Sequence, residues 1–224
     1  MRLKIGIILL LVLFAAAFRE SVKNITCKTQ YGPCEEEDYK KVQGIIGENL
    51  LLVSSSKVKA EVLQNFKNEE VVVHKIIPNT LSLIIEKRRA YAAVAKDNLG
   101  GTFLISRDGK TLSFVESSAL PQLALGPEYP TPIVGENVPD PVIRAARIVS
   151  LTSKIRQIKK ATLANSQLTV DSEGTTIIFP EDGDPEVLVG ALQLIVSRAK
   201  MESPAVPKEP VSIDLRFKNP VLKY

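Results

Sequence analysis

The chain has 224 residues, of which 45% are hydrophobic and 24% charged, with a net charge of +4. This is ordinary globular composition with room for one large or two small folded units, and it excludes a disordered chain. Aromatics make up 5% and tryptophan is absent, so the sequence advertises neither a stacking groove for nucleic acid nor a sugar-binding cleft.

Arg2 and Lys4 precede an uncharged run over residues 5–18, after which Arg19, Glu20 and Lys23 restore charge. A bilayer asks for about 20 apolar residues, and Ala15 and Ala17 fit a small-x-small cleavage signal. Two readings stand: a cleaved signal peptide, or an anchor over 5–20 that snorkels Lys4 and Arg19 to the two interfaces. Both export the remainder, and the basic start places residues 1–4 in the cytoplasm. Cys27 and Cys34 flank a bend at Gly32 and Pro33, so they are either joined in an oxidising compartment or two buried thiols.

Residues 22–29 read as a strand. Glu35, Glu36, Glu37 and Asp38 then open a helix whose inward stripe is Tyr39, Val42, Ile45, Ile46 and Leu50. Acids at a helix start are explained by the positive end of the helix dipole, and no histidine accompanies them to make a metal site. Residues 50–53 are expected to cross the core, and Ser54, Ser55 or Ser56 to cap a second helix carrying Val58, Val62, Leu63 and Phe66. Residues 71–77 and 81–85 are β-branched, apolar-rich runs around Pro78, Asn79 and Thr80, the pattern of a hairpin. The charged block Glu86, Lys87, Arg88 and Arg89 predicts a solvated edge or bulge before the apolar run 91–95.

These residues carry a resemblance. A short basic start, an apolar segment, and a β-α-α-β-β unit with GENLLLV over 47–53, Pro78, Asn79, Thr80 and Leu81, then Glu86 is similar to the bacterial cell-division family FtsQ/DivIB. In that family a proline commonly follows the glutamate; here Arg89 and Ala90 stand there. The resemblance implies an α+β chain: a cytoplasmic tail over 1–4, a single transmembrane signal-anchor over 5–20, and a POTRA domain over 22–97. A mixed antiparallel-sheet β domain with two helices then fills 98–224. It also implies a single-pass cell-membrane protein at the division septum.

Within the second region, residues 102–106 and 111–115 flank the turn Arg107, Asp108, Gly109 and Lys110 as hairpin strands. Residues 120–125 read as a strand. Asp140 is expected to cap a helix with Pro141 in its first turn and Val142, Ala145, Ala146 and Val149 inward. Arg144, Arg147, Lys154 and Arg156 are assigned to its solvated face. Residues 161–164, 167–170 and 175–179 read as strands, Asp184 and Pro185 begin a last helix, and a linker with Pro204, Pro207 and Pro210 follows.

From Val211 the residues alternate: Val211, Ile213, Leu215 and Phe217 on one face, Ser212, Asp214 and Arg216 on the other. On pattern alone this is an antiparallel strand wet on one side. IDLRF over 213–217 is also similar to the DLR-plus-aromatic segment that closes the FtsQ/DivIB β domain. The resemblance implies that Ser212, Ile213, Asp214, Leu215, Arg216, Phe217, Asn219 and Tyr224 receive an FtsB/DivIC-like partner held with an FtsL-like one, by strand addition along an open sheet border. A tyrosine is common in the family where Phe217 stands.

The sole histidine, His74, lies inside an apolar run, and no phosphate loop, zinc-ligand spacing or nucleophile elbow is present. The expectation is therefore a non-catalytic scaffold without cofactor or metal, tethered to the bilayer through 5–20 and joining early and late division proteins to septal wall synthesis. The alternative is a secreted protein whose basic surface binds anionic wall polymers.

Overall fold

The computed structural model describes residues 21–96, 99–202 and 210–224. They divide into two units between Arg88 and Arg89. In the first, β1 (Asn24–Thr29), β2 (Gly32–Pro33), β3 (Asn68–Ile76) and β4 (Thr80–Lys87) form a sheet of order β2-β1-β4-β3. Strand β1 runs parallel to β4, and β3 and β4 are an antiparallel hairpin. Period-two alternation sends Leu81, Leu83 and Ile85 inward, where they meet Val42 of α1 (Glu36–Gln43) and Val58 and Val62 of α2 (Ser55–Leu63). Ser54 caps α2, accepting from the Lys57 N–H at 3.3 Å. Cys27 and Cys34 are joined, pinning β1 to β2.

The second unit holds β5 (Ala90–Lys96), β6 (Thr102–Ser106), β7 (Thr111–Val115), β8 (Gln122–Leu125), α3 (Asp140–Thr152), β9 (Ile158–Ala164) and β10 (Gln167–Ser172). It is completed by β11 (Thr175–Pro180), α4 (Pro185–Glu202), β12 (Ser212–Asp214) and β13 (Val221–Lys223). All its strands join one nine-stranded sheet of order β13-β12-β11-β10-β9-β8-β5-β6-β7. Val142, Ala145, Ala146 and Val149 of α3 pack with Leu123, Leu125, Leu163, Ile177 and Phe179 in a single core. The β10–β11 reversal takes Glu173 and Gly174 at φ 49° and 85°, the left-handed pair a two-residue hairpin loop needs.

Several expectations are corrected. The described residues form a mixed α/β protein of four helices and thirteen strands, mostly sheet, and not an α+β protein with a transmembrane helix and an antiparallel β domain. The nine-stranded sheet has three parallel pairings: β5 with β8, β8 with β9, and β11 with β12. The physical reason lies in the connections. A helix between neighbouring strands returns the chain to its starting end, so α3 between β8 and β9, and α4 between β11 and β12, dictate parallel pairs.

No helix among the described residues is long and apolar enough to cross a membrane, so the single-pass anchor is not seen among them and that expectation is corrected. The anchor expected over 5–20 lies outside the described residues, as do 97–98 and 203–209 with Pro204 and Pro207.

Smaller departures have local causes. Leu50 is buried, but Leu51 and Leu52 are exposed, so residues 50–53 skirt the core. Pro139, not Asp140, holds the N-cap position of α3, with no side-chain cap bond. Arg156, expected in solvent, is buried and paired with Glu173 at 3.2 Å. Lys87, expected on a wet edge, is buried, and β4 ends there because the Gln30 amide takes over the ladder. Its Nε2 donates to the Lys87 carbonyl at 2.7 Å and its Oε1 accepts from the Lys87 N–H at 2.9 Å.

Candidate docking edge

The C-terminal segment begins where Pro210 brings the chain alongside β11. The Thr175 hydroxyl donates to the Pro210 carbonyl at 2.9 Å, the Thr176 N–H to the Val211 carbonyl at 2.9 Å, and the Leu215 N–H to the Ile178 carbonyl at 2.8 Å. On its other flank β12 is antiparallel to β13, with Ser212 opposite Lys223 and Asp214 opposite Val221. Strand β12 is thus hydrogen-bonded along both sides, and the border expected at residues 211–217 is not there. Strand β13 stands outermost in its place, and its second flank has no strand among the described residues.

The expected site residues separate into three groups. Ile213, with 0% of its surface exposed, and Leu215 are core residues that anchor the segment. Ser212 and Asp214 are half-buried on the opposite face of β12. Arg216, Phe217, Asn219 and Tyr224 are exposed, Phe217 by 57% and Tyr224 by 59%. Sequence reasoning missed Val221 and Lys223, the exposed residues of the border strand itself. A strand of three residues after Pro220 is too short for an alternation to be read.

Asp214 and Arg216 shape the turn between the two strands. The guanidinium donates to Asp214 Oδ1 at 3.0 Å and Oδ2 at 2.7 Å, and to Gln167 Oε1 at 2.8 Å, while the Arg216 N–H returns to Asp214 Oδ1. Its carbon lies 5.8 Å from the centroid of the Phe217 ring, a cation–π distance. The Arg216 hydrogen bonds hold the Asp214 carboxyl below its ordinary range and outweigh its partial desolvation; the same pairing raises the Arg216 value. This fork fixes where the exposed phenyl ring leaves the sheet.

Arg216 and Asp214 at this edge are paired with each other, and the described residues contain no cluster of three or more metal-binding side chains. His74 is exposed on β3. The arrangement offers a main-chain ladder, two aromatic side chains and a lysine, which is the chemistry of peptide recognition. No family model matches the chain, and no curated protein matches it.

Proposed function

We propose that the chain is a non-catalytic docking protein of the FtsQ/DivIB kind. It captures an extended segment of an FtsB/DivIC-like coiled-coil protein, held with an FtsL-like one, by adding that segment to the outer flank of β13. The observation that carries the reading is the position of β13 at the sheet border beside the exposed Phe217 and Tyr224. Main-chain bonds to residues 221–223 supply pairing, and the aromatic rings and Lys223 select the partner. The resemblance of GENLLLV and IDLRF to the division family supports the choice of partner class.

The test is co-purification with FtsB-like and FtsL-like proteins. Deleting residues 221–224 removes the border strand and should abolish capture. Phe217→Ala should weaken it about tenfold or more, the loss of a central aromatic anchor. Val221→Pro, which removes a ladder donor, should act like the deletion. Wild-type capture by all three variants sinks the proposal.

A further inference from the structure

A different part of the second unit carries an inference independent of the docking edge. The parallel ladder between β8 and β9 contains only Ala124 opposite Thr162 and Leu125 opposite Leu163. Residues 158–161 of β9 lie beyond its end, although they remain paired with β10 on their other flank. Gln122 and Leu123 likewise pair with β5 and have no partner in β9. The two strands therefore fork inside a continuous sheet. A cavity of about 550 Å³ occupies the fork, between the 116–121 loop and the connection leaving α3. That volume lies within the range of roughly 300–1,000 Å³ typical of small-molecule sites.

The chemistry of the walls is one-sided. Lys159 and Lys160 both line the cavity, although consecutive strand residues ordinarily face opposite sides of a sheet. A bulge falls at this point: Ile158 is opposite Ser172 and Lys160 opposite Asp171, which leaves Lys159 as the extra residue. A bulge re-aims side chains in this way, and bulges are common beside functional sites.

No carboxylate lines the cavity. Asp171, the cross-strand neighbour of Lys160, instead accepts from the Thr176 hydroxyl at 3.0 Å. Neither ammonium has an ion-pair partner among the described residues. Further donors are at hand: the side-chain amides of Gln122 and Gln157 have no partner among the described residues, and Ser118, which accepts from the Leu120 N–H at 3.1 Å, keeps its own proton to give, whereas the Ser153 hydroxyl already donates to the Ser150 carbonyl at 2.8 Å. Ala95 and Ala124 supply a small-residue floor.

We infer that the fork between β8 and β9 is a binding site for a small molecule carrying two or more anionic oxygens, as phosphate or as carboxylates. Lys159 and Lys160 neutralise the charge, and Gln122, Gln157 and Ser118 donate to the polar body of the ligand. Two like charges on adjacent residues repel each other, and a dianion bound to both relieves that repulsion.

The experiment is isothermal titration of the full chain with glucose 6-phosphate, citrate and uncharged glucose, and with polyphosphate as a polymer. Saturable binding of glucose 6-phosphate or citrate, without binding of glucose, is expected, and which of the two binds tells phosphate from carboxylate. Lys159→Gln with Lys160→Gln should weaken that binding at least tenfold. Ala124→Leu, which fills the floor while keeping both charges, should do the same; its melting curve reports whether the fold is intact. Three results overturn the inference: glucose binding as well as its phosphate, affinity unchanged in both variants, or no saturation by either anion. Polyphosphate binding that survives both variants with no small-anion binding would mean diffuse surface attraction, and overturns it too. Deletion of residues 221–224 should leave this binding intact, so failure here and failure of the docking reading are distinguishable.

Discussion

Replacing Asp38 is the sharpest test of what holds the first unit together. Its side chain has 0% exposure and accepts three hydrogen bonds: from Asn65 Nδ2 at 2.9 Å, Asn68 Nδ2 at 2.9 Å and Lys87 Nζ at 2.6 Å. Lys87 is itself buried, and its other anion, Glu35 at 3.2 Å, sits on a largely exposed side chain. Asp38→Ala leaves an ammonium and two amides inside the protein with one weak counter-charge. Removing one member of a buried pair costs about 3–5 kcal/mol, and Glu35 offsets part of this, so about 3 kcal/mol is expected. For a unit of this size, that corresponds to a fall in Tm of roughly 12–24 °C.

Chemical denaturation monitored by circular dichroism measures the loss. A cycle with Lys87→Met isolates the pair: the double variant should be less destabilised than the sum of the single ones, because no buried charge is left alone. The pH dependence has a defined sign. Burial alone would raise the Asp38 value, but hydrogen bonds from Lys87, Asn68 and Asn65, with the Lys87 charge, bring it below 3.8. The carboxylate's contribution is therefore complete above the unfolded value of about 3.9 and disappears as pH falls through the lower folded value. Asp38→Asn should flatten the stability curve below about pH 4. A loss under about 1 kcal/mol in Asp38→Ala, or strict additivity with Lys87→Met, would refute the network as a source of stability.

Other outcomes follow from single features. Cys27→Ser with Cys34→Ser opens a short loop of sequence separation 7 and should cost about 2 kcal/mol in thermal melts, with the same loss produced in the native chain by reductant. Gly109 has φ 86° and a Cβ there would run into the Ile143 side chain, so Gly109→Ala should cost more than the roughly 1–2 kcal/mol of the left-handed conformation alone, read by denaturant midpoint. Phe179 is fully buried in the nine-stranded unit, and Phe179→Ala should cost about 3–5 kcal/mol, seen in the transition of that unit.

What the sequence made legible was local. The β3–β4 hairpin is visible because Leu81, Leu83 and Ile85 alternate with outward residues around a Pro-Asn reversal. The stripe of α3 is visible because Val142, Ala145, Ala146 and Val149 recur at helical spacing. Parallel pairing of β8 with β9 and of β11 with β12 was also implicit in the helices between them, yet an alternating pattern does not state which neighbour a strand will choose.

The role of Asp38 was hidden for a different reason. Its partners Asn65, Asn68 and Lys87 lie 27, 30 and 49 residues away, and a run of acids at a helix start already had a sufficient local explanation. The fork left one trace, the pair Lys159 and Lys160 breaking the strand alternation, and only the end of the β8–β9 ladder gives that trace meaning.

The docking edge and the fork belong to one sheet, and the strand order decides whether they can influence each other. From β13 to β9 the order runs through β12, β11 and β10. Four inter-strand steps of about 4.8 Å separate the outer border from the near wall of the fork by roughly 19 Å. That exceeds the roughly 7–10 Å over which substitutions usually couple through shared contacts. The intervening strands carry fully buried residues, Val170 of β10, Ile177 of β11 and Ile213 of β12, which belong to one core and resist continuous deformation. Phe217→Ala combined with Lys159→Gln should therefore show each defect at its single-variant size. Measured coupling between partner capture and anion binding would require the sheet to have two discrete arrangements that both sites bias.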